Sequence, residues 1–325
     1  MFVEGFRLRT TQSTTQQSIP GFPFIIVEIR VLSNILILLM PTKINSRILM
    51  SGAEYFGDSF AINALMDSTI SVDKHLAIDE HRNLEANLKQ IGIDVVKVLP
   101  PADSQDGVYT ANWGLCRANK VILSSLPNKR KSEEAYAKNV LQVLGFETID
   151  APFNFSGQGD ALPCGNLLFC GSKYRTDPRM HSFIAETLGF EVIGLQTVPE
   201  KDELGNDVIN KVTDWPDSFF YDIDLAIAVL SPDLIAWCPE AFVPESQEII
   251  RNLQIDKIEV SLEEATKGFC CNLISTGETV VMSDSAPNFK LAVEAHGFKT
   301  ITPHITELCK GGGFIRCSSL TLDNN

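Results

Sequence analysis

The chain has 325 residues, 44% of them hydrophobic and 21% charged, enough apolar material for a large core in one big domain or two small ones. A formal charge of −14 argues against nucleic acid or an anionic membrane surface as partner, because a polyanion would be repelled, and suits a small cationic ligand. Eight cysteines, at 116, 164, 170, 238, 270, 271, 309 and 317, show no CxxC pair and no zinc spacing, so no disulfide framework and no metal site is expected, and a reducing cytosol is the simplest home.

An apolar stretch runs from Phe22 to Met40. Glu28 and Arg30 interrupt it, and its clean part, Val31 to Met40, is too short to span a bilayer. Met40-Pro41-Thr42-Lys43 followed by Ile44 to Met50 reads as the start of a domain. Residues 1–39 are therefore expected to be an extension outside the fold, and residues 40–325 a single domain.

Five times along that domain an amphipathic helical pattern ends and a short β-type run begins at once. The helices are expected at Asp79–Ile91, Glu133–Leu144, Met180–Leu188, Glu245–Leu253 and Asn288–His296, and the following runs start at Gly92, Gly145, Gly189, Gln254 and Gly297. Each of the four glycines stands where a helix hands over to a left-handed residue. The intervals of 53, 44, 65 and 43 residues are too irregular for a solenoid of identical units, yet even enough for one motif repeated. Five copies suggest a ring.

Each run is followed by a polar segment: Asp106 to Gly114, Phe155 to Asp160, Phe220 to Asp224, Phe269 to Asn272, and finally Gly311-Gly312-Gly313 leading to Cys317. Taken singly, each reads as an ordinary surface turn. Recurring at matching points of five units around one axis, they would bring Asn112, Asp160, Asp222, Asp224 and Cys317 to a common centre. Trp113 and Trp237 are read as core residues.

Carboxylates around one thiol would hold a planar, permanently charged guanidinium and present its carbon to a nucleophile. Thiolate attack, with loss of ammonia or an amine, gives a covalent thiouronium that water or a second amine then resolves. The scheme needs an acid/base group beside the sulfur. None of the five histidines falls in the polar segment after the third repeat. His75, His81 and His296 are read as solvated and His181 as a helix-start feature, which leaves His304, at the end of the fifth strand, as the one placed to approach Cys317.

The stretch from about Met40 to Leu322 resembles the guanidino-group-modifying superfamily, the penteins, in its arginine deiminase-like and dimethylargininase-like branch. Asp106 to Leu115 is similar to DxVFTANxGL, Phe155 to Leu162 to FEGxGDxL, Tyr221 to Leu225 to YHLDT, Phe269 to Asn272 to FxxN, and Thr306 to Leu320 to the ending with two glycines and the cysteine. The resemblance implies an α/β fold, a five-bladed propeller of pseudo-fivefold ββαβ repeats, with a central site and neither cofactor nor metal. It implies Cys317 as nucleophile and Asn112, Asp160, Asp224 and Asp106 as substrate-binding residues, with a small guanidino compound as ligand and room for a homo-oligomer. Two positions depart from the pattern. Ser156 stands where the family has a glutamate, and Asp222 stands where it has the catalytic histidine; Asp222 could still serve as the acid if Asp224 and burial raised its pKa. Two readings stay open: a hydrolase or amidinotransferase acting through Cys317, or an impaired propeller that binds a guanidino ligand or a protein partner.

Overall fold

The computed structural model describes residues 43–57, 59, 71–126, 129–209 and 216–324, and the expected N-terminal extension lies outside them. The described strands form five sheets of three, and each sheet repeats one pattern: a first strand antiparallel to a second, and a third parallel to the second. The second and third strands are joined through a helix, because a parallel pair needs a crossover. The blades are β3 (Gly114–Arg117), β4 (Lys120–Leu123) and β5 (Glu147–Ile149); β6 (Ala161–Cys164), β7 (Leu167–Cys170) and β8 (Glu191–Gly194); β9 (Ile227–Ser231), β10 (Leu234–Trp237) and β11 (Asp256–Glu259); and β12 (Ile274–Ser275), β13 (Thr279–Val281) and β14 (Lys299–Ile301). The remaining blade is assembled from both ends of the described chain: β1 (Arg47–Met50) pairs in parallel with β2 (Asp94–Lys97) and antiparallel with β15 (Leu320–Thr321), in the register Ile48 to Thr321 and Leu49 to Leu320. First strands pack on one another, β15 on β3, β6 on β9 and β9 on β12, so they form the inner wall of a five-bladed α/β propeller.

Crossover helices α1 (Lys74–Gln90), α2 (Glu133–Val143), α3 (Met180–Leu188), α4 (Pro244–Asn252) and α6 (Pro287–Ala295) match the expected set to within a residue at most ends. The short α5 (Leu262–Lys267) is additional, capped by the Ser261 hydroxyl. Helix α1 starts five residues before its apolar pattern does, because the Asp73 carboxylate accepts from the His75 and Leu76 amides and caps the end. Gly92, Gly145, Gly189 and Gly297 all sit at φ between 74° and 91°, the left-handed geometry that ends a helix without a Cβ penalty. The long interval before the fourth unit holds an extra excursion, bridged at Lys201–Asp207 and Ile209–Pro216.

Hydrophobic cores lie where neighbouring blades meet. Leu49 and Leu320 of the closing blade pack with Trp113, Leu123 and the α2 residues Ala137 and Leu141, while Leu115 and Ile122 pack with Leu168 and the α3 residues Ile184 and Leu188. Trp113 and Trp237 are fully buried, as expected of core residues. His81 is not solvated as its helix suggested: the α1 face carrying it turns inward, and Lys97 approaches its Nδ1 at 3.2 Å. Among the described residues no helix is long and apolar enough to cross a membrane.

Candidate active site

The polar segments between blades fold as tight 3-10 turns at Thr110–Trp113, Gly157–Gly159, Ile223–Leu225 and Leu308–Gly311, which aim side chains inward from the ends of the inner strands. A cleft of about 220 Å³ opens there, lined by Cys317, Asp222, Asn112, Tyr109, Tyr221, Arg130 and Arg175 together with Gly311 and Gly313. The glycines have a steric reason. A Cβ at Gly311 would fall within 2.2 Å of the Tyr109 hydroxyl, and one at Gly313 within 2.5 Å of the Tyr109 ring, while Gly312 between them takes φ 85°.

The nucleophile candidate is clamped from three sides. Asn272 Nδ2 donates to Cys317 Sγ at 3.1 Å, and Asn272 Oδ1 accepts from the Arg316 and Cys317 amides at 2.9 and 3.2 Å. The Cys317 carbonyl accepts from the Ala111 amide at 3.0 Å, and Asp224 Oδ2 lies 3.2 Å from the sulfur. Asp222 Oδ2 accepts from Asn112 Nδ2 at 2.9 Å and from Arg175 Nη1 at 3.2 Å, and the Arg175 guanidinium lies 3.9 Å over the Tyr221 ring. Asn112 in turn receives Arg130 Nη1 at 2.6 Å on its Oδ1 and donates to the carbonyl and hydroxyl oxygens of Ser156 at 2.8 and 3.0 Å. Buried Arg130 is forked onto Glu133 at 2.8–2.9 Å.

Charge in this enclosure is displaced from its ordinary balance. Burial pushes the Cys317 thiol well above its usual range and the Asp224 charge pushes it further, while the Phe314 backbone and Asn272 pull it back. Burial and then Asp222 raise Asp224 to about 8, against the pull of Cys317, Arg316 and Asn272. Asp106 is raised to about 7 by burial, with Glu133 adding to the effect and Arg130 and Arg175 opposing it. Such shifts favour neutral carboxyls and a neutral thiol until a cation enters.

The structure brings Asn112, Asp222, Asp224 and Cys317 together. Asp224 does not line the cleft and meets it through its contact with the sulfur, and Asp160 and Asp106 do not line it either. Asp160 Oδ1 accepts from the Ile223 amide at 3.0 Å and so anchors the turn carrying Asp222 and Asp224; burial and the charge of Asp222 raise its pKa well above the usual range. Asp106 is buried beside Gln105 and opposite Arg130, away from the cleft. His304 does not approach the thiol: its side chain is exposed and bonds Asp284 at 2.6 Å, because β14 delivers it to the surface. His181 instead points its Nε2 at the Gly171 carbonyl, 2.9 Å away. Sequence reasoning missed both arginines of the cleft. Arg130 sits in the basic run Lys129-Arg130-Lys131, which reads as a solvated face, and its one signal is Glu133 three residues on. Arg175 follows β7 in a turn that looked like a lead-in to α3.

A propeller with a buried thiol among aspartates and arginines on its axis is the architecture of cysteine-dependent proteins that modify guanidino groups. The family profile described as N,N dimethylarginine dimethylhydrolase, eukaryotic, matches residues 57–322. Over 278 residues the chain is 31% identical to the N(G),N(G)-dimethylarginine dimethylaminohydrolase of Mycobacterium tuberculosis, covering 85% of each. It is 28% identical over 282 residues to the bifunctional arginine dihydrolase/ornithine cyclodeaminase ArgZ of Synechocystis, of whose length it spans 37%. The solved N-terminal domain of ArgZ bound to product superposes with a TM-score of 0.77 at 28% identity, covering 86% of this chain and 97% of that one. The chain belongs to the dimethylarginine dimethylaminohydrolase family of guanidino-group hydrolases.

Proposed function

We propose that this protein hydrolyses the guanidinium of an arginine-like amino acid through Cys317, with a covalent thiouronium intermediate and water as acceptor. The observation that carries the reading is the buried sulfur, clamped by Asn272 and touching Asp224, at the floor of a cleft with charges of both signs. Asp222 and Asn112 face the space a guanidinium would occupy, and Arg175, whose Nη1 pairs with Asp222 and whose Nη2 has no hydrogen-bond partner among the described residues, gives the same cleft a positive group suited to a carboxylate. Burial first, and then the charge of Asp224, hold Cys317 as a thiol, and a bound cation opposes both, so thiolate forms when substrate arrives. Relatives named as a dimethylarginine dimethylaminohydrolase and as arginine dihydrolases favour hydrolysis over amidinotransfer. Asp160 and Asp106 support the site from behind its wall in this reading.

A specific observation supports a second reading, a guanidino-binding protein without turnover. Ser156 carries no charge, and Asp222 is tied to Arg175. Incubation with arginine, methylated arginines, agmatine and guanidinoacetate, read by mass spectrometry for ureido product and amine, separates the two. The hydrolase reading expects product from one of them, a protein adduct on acid quench, and loss of both in Cys317→Ala. Binding without product or adduct favours the second reading.

A further inference from the structure

The family's histidine is absent, so the reaction proposed above lacks a named proton carrier, and two aspartates are candidates for it. Asp222 has its Oδ2 engaged by Asn112 and Arg175. Asp224 Oδ2 touches Cys317 Sγ at 3.2 Å. Both keep Oδ1 buried without a partner, but of the two it is Asp224 that is in contact with the sulfur. Asp224 also lines a second cavity, partly open to solvent, together with Arg316, Asn45, Leu162, Ile227 and Leu273; Cys317 does not line it. This carboxyl therefore lies between the sulfur and a separate cavity.

Resting on the hydrolase reading, we propose that Asp224 is the general acid/base of the site, taking the proton of Cys317 and delivering it to the departing nitrogen. In the first half, the Asp224 carboxylate accepts the thiol proton as sulfur bonds to the guanidinium carbon, giving a neutral tetrahedral adduct. The carboxyl then protonates the leaving nitrogen as its bond to carbon breaks. Amine departs neutral, the thiouronium keeps the positive charge, and Asp224 is a carboxylate again. In the second half it takes a proton from water as the oxygen adds to carbon. Breaking of the carbon–sulfur bond returns a thiol, with its proton drawn from the product hydroxyl, and a neutral ureido product. Asp224 is left protonated, and that single proton passes to water in the second cavity. Burial and Asp222 lift its proton affinity toward the working range, as an acid/base group requires. The charged and titratable groups around it are Asp222, Asp160, Arg316, Cys317, Cys271 and Tyr221.

The test compares Asp224→Asn, Asp224→Glu and Asp222→Asn in two assays: turnover of the guanidine identified above across pH, and the rate of Cys317 alkylation by iodoacetamide across pH. Asp224→Asn is expected to lose turnover by about 10²-fold or more. Removing this charge is expected to raise the Cys317 alkylation rate above about pH 8, where the carboxyl is ionised, with the thermal denaturation midpoint unchanged so that simple exposure of the buried thiol is excluded. Asp224→Glu should recover part of the turnover, and Asp222→Asn should keep the acid/base limb of the pH profile. Turnover within about fivefold of wild type in Asp224→Asn, alkylation that falls with it, or loss of the limb in Asp222→Asn overturns the proposal. A wild type that turns over no guanidine sinks the hydrolase reading instead, and Asp224 as proton carrier with it, whatever the alkylation arm reads.

Discussion

At the scale of single residues, His81 couples stability to acidity. Burial, with Lys97 adding to it, lowers its pKa from 6.5 to about 3. Between those values the unfolded chain binds a proton that the folded chain refuses, so stability falls as pH drops through the window. From about pH 7.5 to about pH 5 this one group is expected to remove about 2 kcal/mol. Urea denaturation at the two pH values should show that loss in the wild type and a flatter response in His81→Leu. An unchanged difference would mean that the ring is protonated in the fold. Residues were also the scale least legible in sequence. Asp222 and Asp224 stand two positions apart on one turn, and sequence alone favoured Asp222 as acid by its place in the motif. Which of them meets the sulfur depends on the direction in which the turn Ile223–Leu225 presents each side chain, and that is set by the Asp160 anchor on the Ile223 amide.

At the scale of elements, glycines separate two kinds of constraint. Gly297 holds φ 89° with open space around the position of a Cβ, so Gly297→Ala is expected to cost about 1 kcal/mol of stability and leave the site alone. At Gly159 a Cβ would come within 2.5 Å of Asn112 Nδ2 and 2.8 Å of Asp222 Oδ2. Gly159→Ala should therefore lower kcat/KM by at least about tenfold, since a small misplacement of positioning groups is enough. Thermal denaturation and steady-state kinetics on both variants check the contrast, which fails if the two behave alike. The helices were legible because each carries a 3.6-residue apolar period ending in glycine or a polar residue. The inner strands β12 and β15, two residues each, are too short to show any period, and their positions follow from pairing with distant strands.

At the scale of the whole molecule, the ring closes through a few groups. Gln158 Oε1 accepts from the Thr321 amide at 2.7 Å and from Arg316 Nη2 at 3.1 Å, tying the Gly157–Gly159 turn to the closing strand and to the residue before the nucleophile. Gln158→Ala leaves these buried donors without an acceptor, and a loss of about 2–3 kcal/mol is expected in urea denaturation. Faster hydrogen exchange at β1 and β15 should accompany it; protection unchanged at both strands would show that closure does not depend on Gln158. The ring itself was legible from five matching handovers of helix to strand. Its closure was not, since nothing local marks Leu320-Thr321 as the partner of a strand some 270 residues earlier.

Cys317 precedes β15 by only three residues, and every strand of four blades lies before it in the chain. A ribosome thus releases most of the scaffold before the segment bearing the sulfur, and the Asn272 and Asp224 contacts that set its reactivity await that segment.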